Sequence, residues 1–262
     1  MKKILITGAN SYIGTSFEKY IYENYPDEYQ IDTLDMMDPN WKEYDFSGYD
    51  SIFHVAGIAH QKETRENRDL YYKVNRDLTI EVAKKAKNSM VKQFIFMSSM
   101  SVYGLDCSNS LIGLDTELKP KTNYGKSKYE AEKGILNLSN SNFIVSILRP
   151  PMVYGNNCPG NLTKLFKAVK KIHIFPTIRN ERSSISIERL CEEIKKILDE
   201  CSTKIYLPQN KEYMCTYETV KEQMKKENVK VIYVSLFNPL IKIMIGQVDL
   251  ISKVFGSLKY RK

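Results

Sequence analysis

What this 262-residue chain lacks narrows its class before any motif is considered. Its five cysteines, Cys107, Cys158, Cys191, Cys201 and Cys215, are odd in number, and none stands in a Cys-x-x-Cys pair. That pattern supplies neither a disulfide framework nor a metal-ligand spacing, so free thiols in a reducing compartment and no metal site are expected. No apolar run is long enough to span a bilayer. A secretory signal is missing too, because Met1-Lys2-Lys3 leads straight into Ile4-Leu5-Ile6 and a glycine turn. A cytoplasmic protein is expected. Internal repeats and low-complexity linkers are absent, and so is any basic–aromatic module for RNA or DNA. The formal net charge of +8 therefore calls for another explanation. Its excess is densest after Lys221, in Lys225, Lys226, Lys230, Lys242, Lys253, Lys259, Arg261 and Lys262, which reads as a solvated basic tail.

What the chain has is alternation. Strand-like runs at 3–7, 30–35, 51–56, 93–98 and 142–148 are separated by helical patterns at 16–25, 70–87 and 126–137. This βαβα order predicts a doubly wound α/β domain, a parallel sheet with helices on both faces. Beyond Pro151 the strand signals thin, and a smaller, mostly helical lobe is expected. The boundaries drawn are 1–155 for the sheet domain, with a returning segment near 183–200, and 156–262 for the lobe.

Thr7-Gly8-Ala9-Asn10-Ser11-Tyr12-Ile13-Gly14 joins the first strand to the first helix. A backbone that turns sharply and approaches a pyrophosphate needs small residues, and the helix then offers its N–H groups to the phosphates. Gly8 and Gly14 fit those needs, with Ser11 where a middle glycine is usual. Asp35 closes the second strand, where an acid can accept from both ribose hydroxyls of an adenosine and repel a 2′-phosphate. No arginine follows it, which favours NAD over NADP. A plain turn-forming role remains open for Asp35, and Asp32 is a second candidate inside the strand. Asp45-Phe46, ahead of the third strand, could flank the adenine.

Tyr124-Gly125-Lys126-Ser127-Lys128 opens a helix and sets a phenol and an ammonium four residues apart on one face. A neighbouring ammonium stabilises phenolate and brings Tyr into range as an acid–base catalyst. Tyr129 with Lys133 and Tyr217 with Lys221 share the spacing. Context selects Tyr124, which follows a strand ending in Ser98-Ser99, at a distance that lets a serine hydroxyl reach the same oxygen. Those serines could also simply end the strand.

In order along the chain stand TGANSYIG (Thr7 to Gly14), Asp35, Asp45-Phe46, HVAG (His54 to Gly57), Val74-Asn75, SSMSVYG (Ser98 to Gly104), YGKSK (Tyr124 to Lys128) and RPPMVYG (Arg149 to Gly155). Together they resemble the extended short-chain dehydrogenase/reductase family, in its nucleotide-sugar epimerase/dehydratase branch, over nearly the whole chain. The resemblance implies a Rossmann-type fold and bound NAD. It implies Ser99 as the catalytic hydroxyl, Tyr124 as the acid–base and Lys128 as the ribose-binding lysine. Gly8, Ser11, Tyr12, Ile13 and Gly14 would bind the pyrophosphate. Asp35, Asp45, Phe46, Ala56 and Asn75 would line the adenosine side, with the nicotinamide near Ser98 and Pro150.

In the 4,6-dehydratases of this branch an Asp-Glu pair follows the catalytic hydroxyl; here Met100 and Ser101 follow Ser99, so dehydration is disfavoured. Hydride transfer at C4 remains, as a 4-epimerase or a 4-keto-sugar reductase serving surface polysaccharide synthesis. Asn161, in Gly160-Asn161-Leu162, resembles the family's diphosphate contact. Arg179 and Arg182 resemble its basic segment, with Arg182 the better aligned, and an exposed arginine loop is the alternative. His60 could face the sugar or the solvent. The substrate implied is a UDP- or dTDP-linked sugar, and a homodimer is left open. Gly256-Ser257-Leu258 resembles a helical tail that usually continues, which implies an abbreviated edge to the substrate lobe. A non-catalytic dinucleotide-binding regulator is the competing class, disfavoured by the intact Ser99, Tyr124 and Lys128. Leu236 to Leu258 is apolar with scattered lysines; burial against its own lobe is expected, with a membrane or partner face as the alternative.

Overall fold

A computed structural model of the chain describes every residue except His60 and Lys62. The elements run β1 (Lys2–Thr7), α1 (Tyr12–Asn24), β2 (Tyr29–Leu34), β3 (Ser51–His54), α2 (Arg68–Tyr72), a π turn (Lys73–Asp77), α3 (Leu78–Asn88), β4 (Gln93–Met97), α4 (Asn123–Leu136) and β5 (Ile144–Leu148). They continue with β6 (Met152–Tyr154), α5 (Asn161–Ile172), β7 (Ile174–Pro176), β8 (Ser184–Ser186), α6 (Ile187–Glu200), β9 (Ile205–Tyr206), α7 (Thr216–Lys226), β10 (Ile232–Val234), α8 (Asn238–Met244) and α9 (Asp249–Phe255). Two compact units emerge: Met1–Gly104 with Glu117–Pro151 and Ser186–Pro208, and Leu105–Thr116 with Met152–Ile185 and Gln209–Lys262. Against the boundaries drawn from sequence, the first segment leaves the sheet unit at Pro151, and a strap at 105–116 joins the second unit. That strap has no regular pattern of its own; its place is set by contacts distant in sequence, such as the bridge of Ile112 to Tyr260.

The first unit is the doubly wound α/β domain. Its six strands are all parallel, in the order β2-β1-β3-β4-β5-β9. Burial on both faces explains the unbroken apolar runs: Ile4, Leu5, Ile6, Ile52, Phe53, Phe94, Ile95, Phe96 and Ile147 are inaccessible to solvent. Leu5, Ile52, Phe94 and Phe96 pack against Val82 and Ala86 of α3 and Ala131 and Ile135 of α4. On the other face Phe17 of α1 meets Phe53 edge-on, with centroids 5.4 Å apart. The chain starts in the sheet interior, winds outward to β2, then crosses back to β3, so a crevice opens beyond the carboxyl ends of β1 and β3. His54 stitches this point, with Nδ1 2.7 Å from Thr7 Oγ1 and Nε2 3.0 Å from Thr79 Oγ1. Burial, with Lys128 nearby, pushes its pKa down to about 3, so it is a neutral structural imidazole.

Helix limits differ from the pattern reading where a cap intervenes. α1 begins at Tyr12 because Ser11 is its N-cap, and α4 begins at Asn123 because Thr122 is its cap. The segment read as one helix, 70–87, is broken by the π turn at Lys73–Asp77.

The second unit has a small core of Val169, Phe175, Val220 and Met224, covered by Val254 and Phe255. β7 and β10 form a two-stranded parallel ribbon there. Leu258 is buried, as expected of the segment 236–258, and Tyr260 beyond it is buried too, but Leu236, Phe237, Leu240, Ile243 and Leu250 are exposed. The apolar segment thus divides: α9 faces the core, and α8 contributes no buried residue. Among the described residues no helix is long and apolar enough to cross a membrane.

Candidate active site

The Ser–Tyr–Lys set lies wholly within the first unit. Ser98 and Ser99 leave the carboxyl end of β4, and α4 carries Tyr124 in its first turn and Lys128 one turn later. Two acceptors secure that first turn. Thr122 Oγ1 accepts from Gly125 N at 3.0 Å, and the Glu63 carboxylate accepts from Asn123 N at 2.9 Å and Tyr124 N at 3.0 Å. A carboxylate also suits the positive end of the helix dipole. The Ser99 hydroxyl lies near enough to the Tyr124 phenol to favour its phenolate. Ser99 Oγ donates to Ser101 Oγ at 3.1 Å and accepts from Ser101 N at 3.1 Å.

Lys128 is buried, with Nζ donating to the Met97 carbonyl at 2.9 Å and lying 4.6 Å from the Phe96 ring centroid. Burial pushes its pKa down to about 7, against the opposing pull of Glu132. Burial also raises the Tyr124 pKa; the nearby Ser99 hydroxyl opposes this and Tyr71 adds to it. The site thus holds a reluctant acid beside a lysine close to changing its charge.

Beneath the set runs a buried polar chain. Ser98 Oγ donates to Glu132 Oε1, and Arg149 clasps the same carboxylate through Nε at 3.0 Å and NH2 at 2.7 Å. Arg149 NH1 reaches Tyr103 Oη at 3.0 Å. The hydroxyl of Ser98, expected beside a nicotinamide, is committed to this ion pair. Asn75, in the π turn, accepts from Ile58 N at 2.7 Å and donates to Ile58 O at 3.1 Å and to Ser127 Oγ at 3.2 Å. Its side chain therefore holds the loop after β3 to the catalytic helix. Gly57 in that loop passes close enough that a Cβ would stand 2.9 Å from Asn75 Oδ1 and 3.1 Å from Lys128 Nζ.

The turn after β1 fits a dinucleotide. Gly8 has φ of +116°, and a Cβ there would come within 2.6 Å of Ala56 N. This close approach leaves backbone, not side chains, at the mouth of the crevice. Ser11 Oγ accepts from Gly14 N at 3.2 Å, so the residue that replaces the middle glycine works as the helix cap, with Tyr12 and Ile13 as the first residues of α1. Asp35 is exposed just past β2, in a turn where its Oδ1 accepts from Met37 N at 2.9 Å. Asp32, the other candidate, is taken by the Tyr49 hydroxyl at 2.8 Å. Both carboxylate oxygens of Asp45 are engaged by Ser47, through its backbone N at 2.8 Å and its hydroxyl at 2.7 Å. The Phe46 ring is fully buried in the core, so only its backbone is left for an adenine. Pro150 is buried beside the site, and its carbonyl accepts from Met100 N at 3.0 Å.

In the second unit, Asn161 opens α5 and is exposed. Arg182 departs from its expected place at a diphosphate. Its NH1 donates to the carbonyls of Gly256 at 2.7 Å, Asp106 at 3.2 Å and Ser252 at 3.3 Å, which makes it an internal clasp on the tail. Arg179, the less well aligned of the two, is exposed and paired with Glu218 at 2.9 Å. His60 lies outside the described residues. Sequence reasoning missed Glu63, Glu132 and the partnership of Glu132 with Arg149. The only signal for Glu132 was its spacing of one helical turn from Lys128.

The strand order, its switch point and the Ser–Tyr–Lys set place this protein among the short-chain dehydrogenases/reductases. More closely, the chain belongs to the NAD dependent epimerase/dehydratase family, whose model matches residues 4–203. Family membership brings NAD as the cofactor. The UDP-glucose 4-epimerase of Vibrio cholerae is 30% identical over 247 residues, 84% of this chain and 74% of that protein. An N-acetyl-alpha-D-glucosaminyl-diphospho-ditrans,octacis-undecaprenol 4-epimerase of Escherichia coli O157:H7 is 26% identical, over 97% of this chain and 81% of that protein. Among solved structures, the UDP-glucuronic acid 4-epimerase of Bacillus cereus in complex with NAD superposes with a TM-score of 0.75 at 18% identity, over 89% of this chain and 86% of that one.

Proposed function

We propose that this protein is an NAD-dependent 4-epimerase of a hexose carried on a diphosphate, with a nucleotide as the carrier, in the synthesis of surface polysaccharide. The observation that carries this reading is the approach of the Ser99 hydroxyl to the Tyr124 phenol, with Lys128 one helical turn behind. Both 4-epimerase relatives named above take a sugar attached through a diphosphate, one on UDP and one on undecaprenol. When bound, NAD supplies a hydride acceptor and donor at the sugar carbon. Gly8, Ser11, Tyr12, Ile13 and Gly14 would hold its pyrophosphate and Asp35 its adenosine ribose. Tyr124 removes the proton of the C4 hydroxyl at Oη and returns it when the opposite face is reduced. Ser99 donates to the same C4 oxygen, and the Lys128 ammonium lowers the cost of the phenolate. Met100 and Ser101 offer no carboxylate for the loss of water, which separates this chain from a dehydratase. The test is to incubate the purified protein with UDP-glucose and UDP-N-acetylglucosamine and follow the axial and equatorial C4 protons by NMR. Interconversion without added cofactor supports an epimerase. Reduction of a 4-keto sugar at the expense of added NADH, with no interconversion, makes the protein a reductase.

A further inference from the structure

The second unit exposes apolar side chains on the β7–β10 ribbon and on the segment that follows it. In the β7–β10 ribbon Ile232 is the register partner of Ile174, and both stand exposed while their neighbours Tyr233 and Phe175 pack on the core. Two residues past β10 the chain reaches Leu236, then enters α8. Leu236 stands in the turn before α8, and Leu240 and Ile243, three residues apart within the helix, share one face. They are 81%, 58% and 66% exposed. The opposite face of α8, Asn238 and Ile241, is half-buried, and Asn238 Nδ2 donates to Thr177 Oγ1 at 3.0 Å. The exposure is therefore the outer side of an anchored helix.

Charge says what covers this face. Between Asn228 and Phe255 the only charged side chains are Lys230, Lys242, Asp249 and Lys253. Lys230 and Lys242 are exposed and enter no ion pair among the described residues. A second copy, related by a twofold axis, would set lysines against lysines with Asp249 as the segment's single carboxylate. An anionic lipid surface satisfies both features, because apolar side chains enter the headgroup–acyl boundary and lysines reach phosphates. We propose that the face from Ile232 to Leu250 docks this protein on the surface of an anionic phospholipid bilayer.

The docking stands independently of the C4 chemistry, and its test is flotation of the full chain with vesicles. Wild-type protein is expected to float with phosphatidylglycerol/phosphatidylethanolamine vesicles, and at least ~10-fold less with phosphatidylcholine alone. The double variant Leu240→Glu/Ile243→Glu should lose at least ~10-fold in partition, and Lys242→Glu about fivefold. Circular dichroism should show both variants folded, because the side chains changed are exposed. Turnover of a water-soluble UDP-sugar should be the same in the double variant and wild type, so a failed flotation leaves the C4 reading standing. Wild-type protein that ignores anionic vesicles, or a double variant that floats as well as wild type, would overturn the docking. So would a wild-type dimer that the double variant dissolves in sedimentation velocity, which would make the face an interface between copies.

Discussion

Arg149 and Glu132 meet in a buried two-pronged ion pair, Nε to Oε1 at 3.0 Å and NH2 to Oε2 at 2.7 Å, with both side chains almost wholly removed from solvent. Glu132 sits one helical turn after Lys128, and Arg149 directly follows β5, so the pair pins α4 to the sheet. Removing one partner strands a charge. Arg149→Met is expected to cost about 3–5 kcal/mol in urea unfolding, and Arg149→Met/Glu132→Leu to recover most of it. A single variant as stable as wild type would show that the pair does not hold the helix.

Lys128 gives stability a pH signature. Its folded pKa, near 7, lies below the ordinary lysine value of 10.5, so the unfolded chain binds more protons between those two values. Stability contributed at this site therefore rises as pH increases across that window, with a slope approaching about 1.4 kcal/mol per pH unit. Lys128→Met removes the slope. Unfolding free energies of the two proteins at several pH values between 7 and 10 check this, and parallel curves would contradict it.

Asp35 should set the cofactor preference. Its Oδ1 is held by Met37 N, which fixes the carboxylate at the end of β2. Wild-type protein is expected to bind NAD(H) at least ~10-fold more tightly than NADP(H), a difference of about 1.4 kcal/mol. Asp35→Ala should narrow that gap, because the ribose contact and the repulsion of a 2′-phosphate disappear together. Titration of both cofactors by fluorescence measures it. Tighter NADP(H) binding by wild type would remove Asp35 from the ribose.

Arg182 is expected to behave as a clasp. Three carbonyls share its NH1, so Arg182→Ala should lower unfolding stability by about 1.5–3 kcal/mol and open the tail after Ser252 to proteolysis. Calorimetry should find UDP affinity within about twofold of wild type in the folded variant. A tenfold loss of UDP affinity, equal to ~1.4 kcal/mol, with unchanged stability would return Arg182 to the diphosphate.

The sheet was legible because parallel strands buried on both faces leave unbroken runs such as Ile4-Leu5-Ile6 and Phe94-Ile95-Phe96. That Tyr124 and Lys128 stand one turn apart on a helix was legible because helical spacing is local. Glu63 was not: it caps α4 from sixty residues away, and no pattern of its own marks it. Arg149 and Glu132 belong to different elements, and each alone reads as a charged surface residue. The π turn at Lys73–Asp77 hides inside a segment with helical periodicity, where Asn75 bonds Ile58 and Ser127. Arg182 misled for a related reason, since an arginine beside a strand looks the same whether it faces a phosphate or three carbonyls of its own lobe.

Tyr124→Phe tests the acid–base role most directly. The substitution keeps the ring and removes the hydroxyl near Ser99. Turnover of the sugar substrate is expected to fall by at least ~100-fold, the scale usual for a general acid–base, while NAD affinity stays within about twofold. A variant that turns over the same substrate at near wild-type rate would contradict the assignment of Tyr124 as the group that moves the C4 proton.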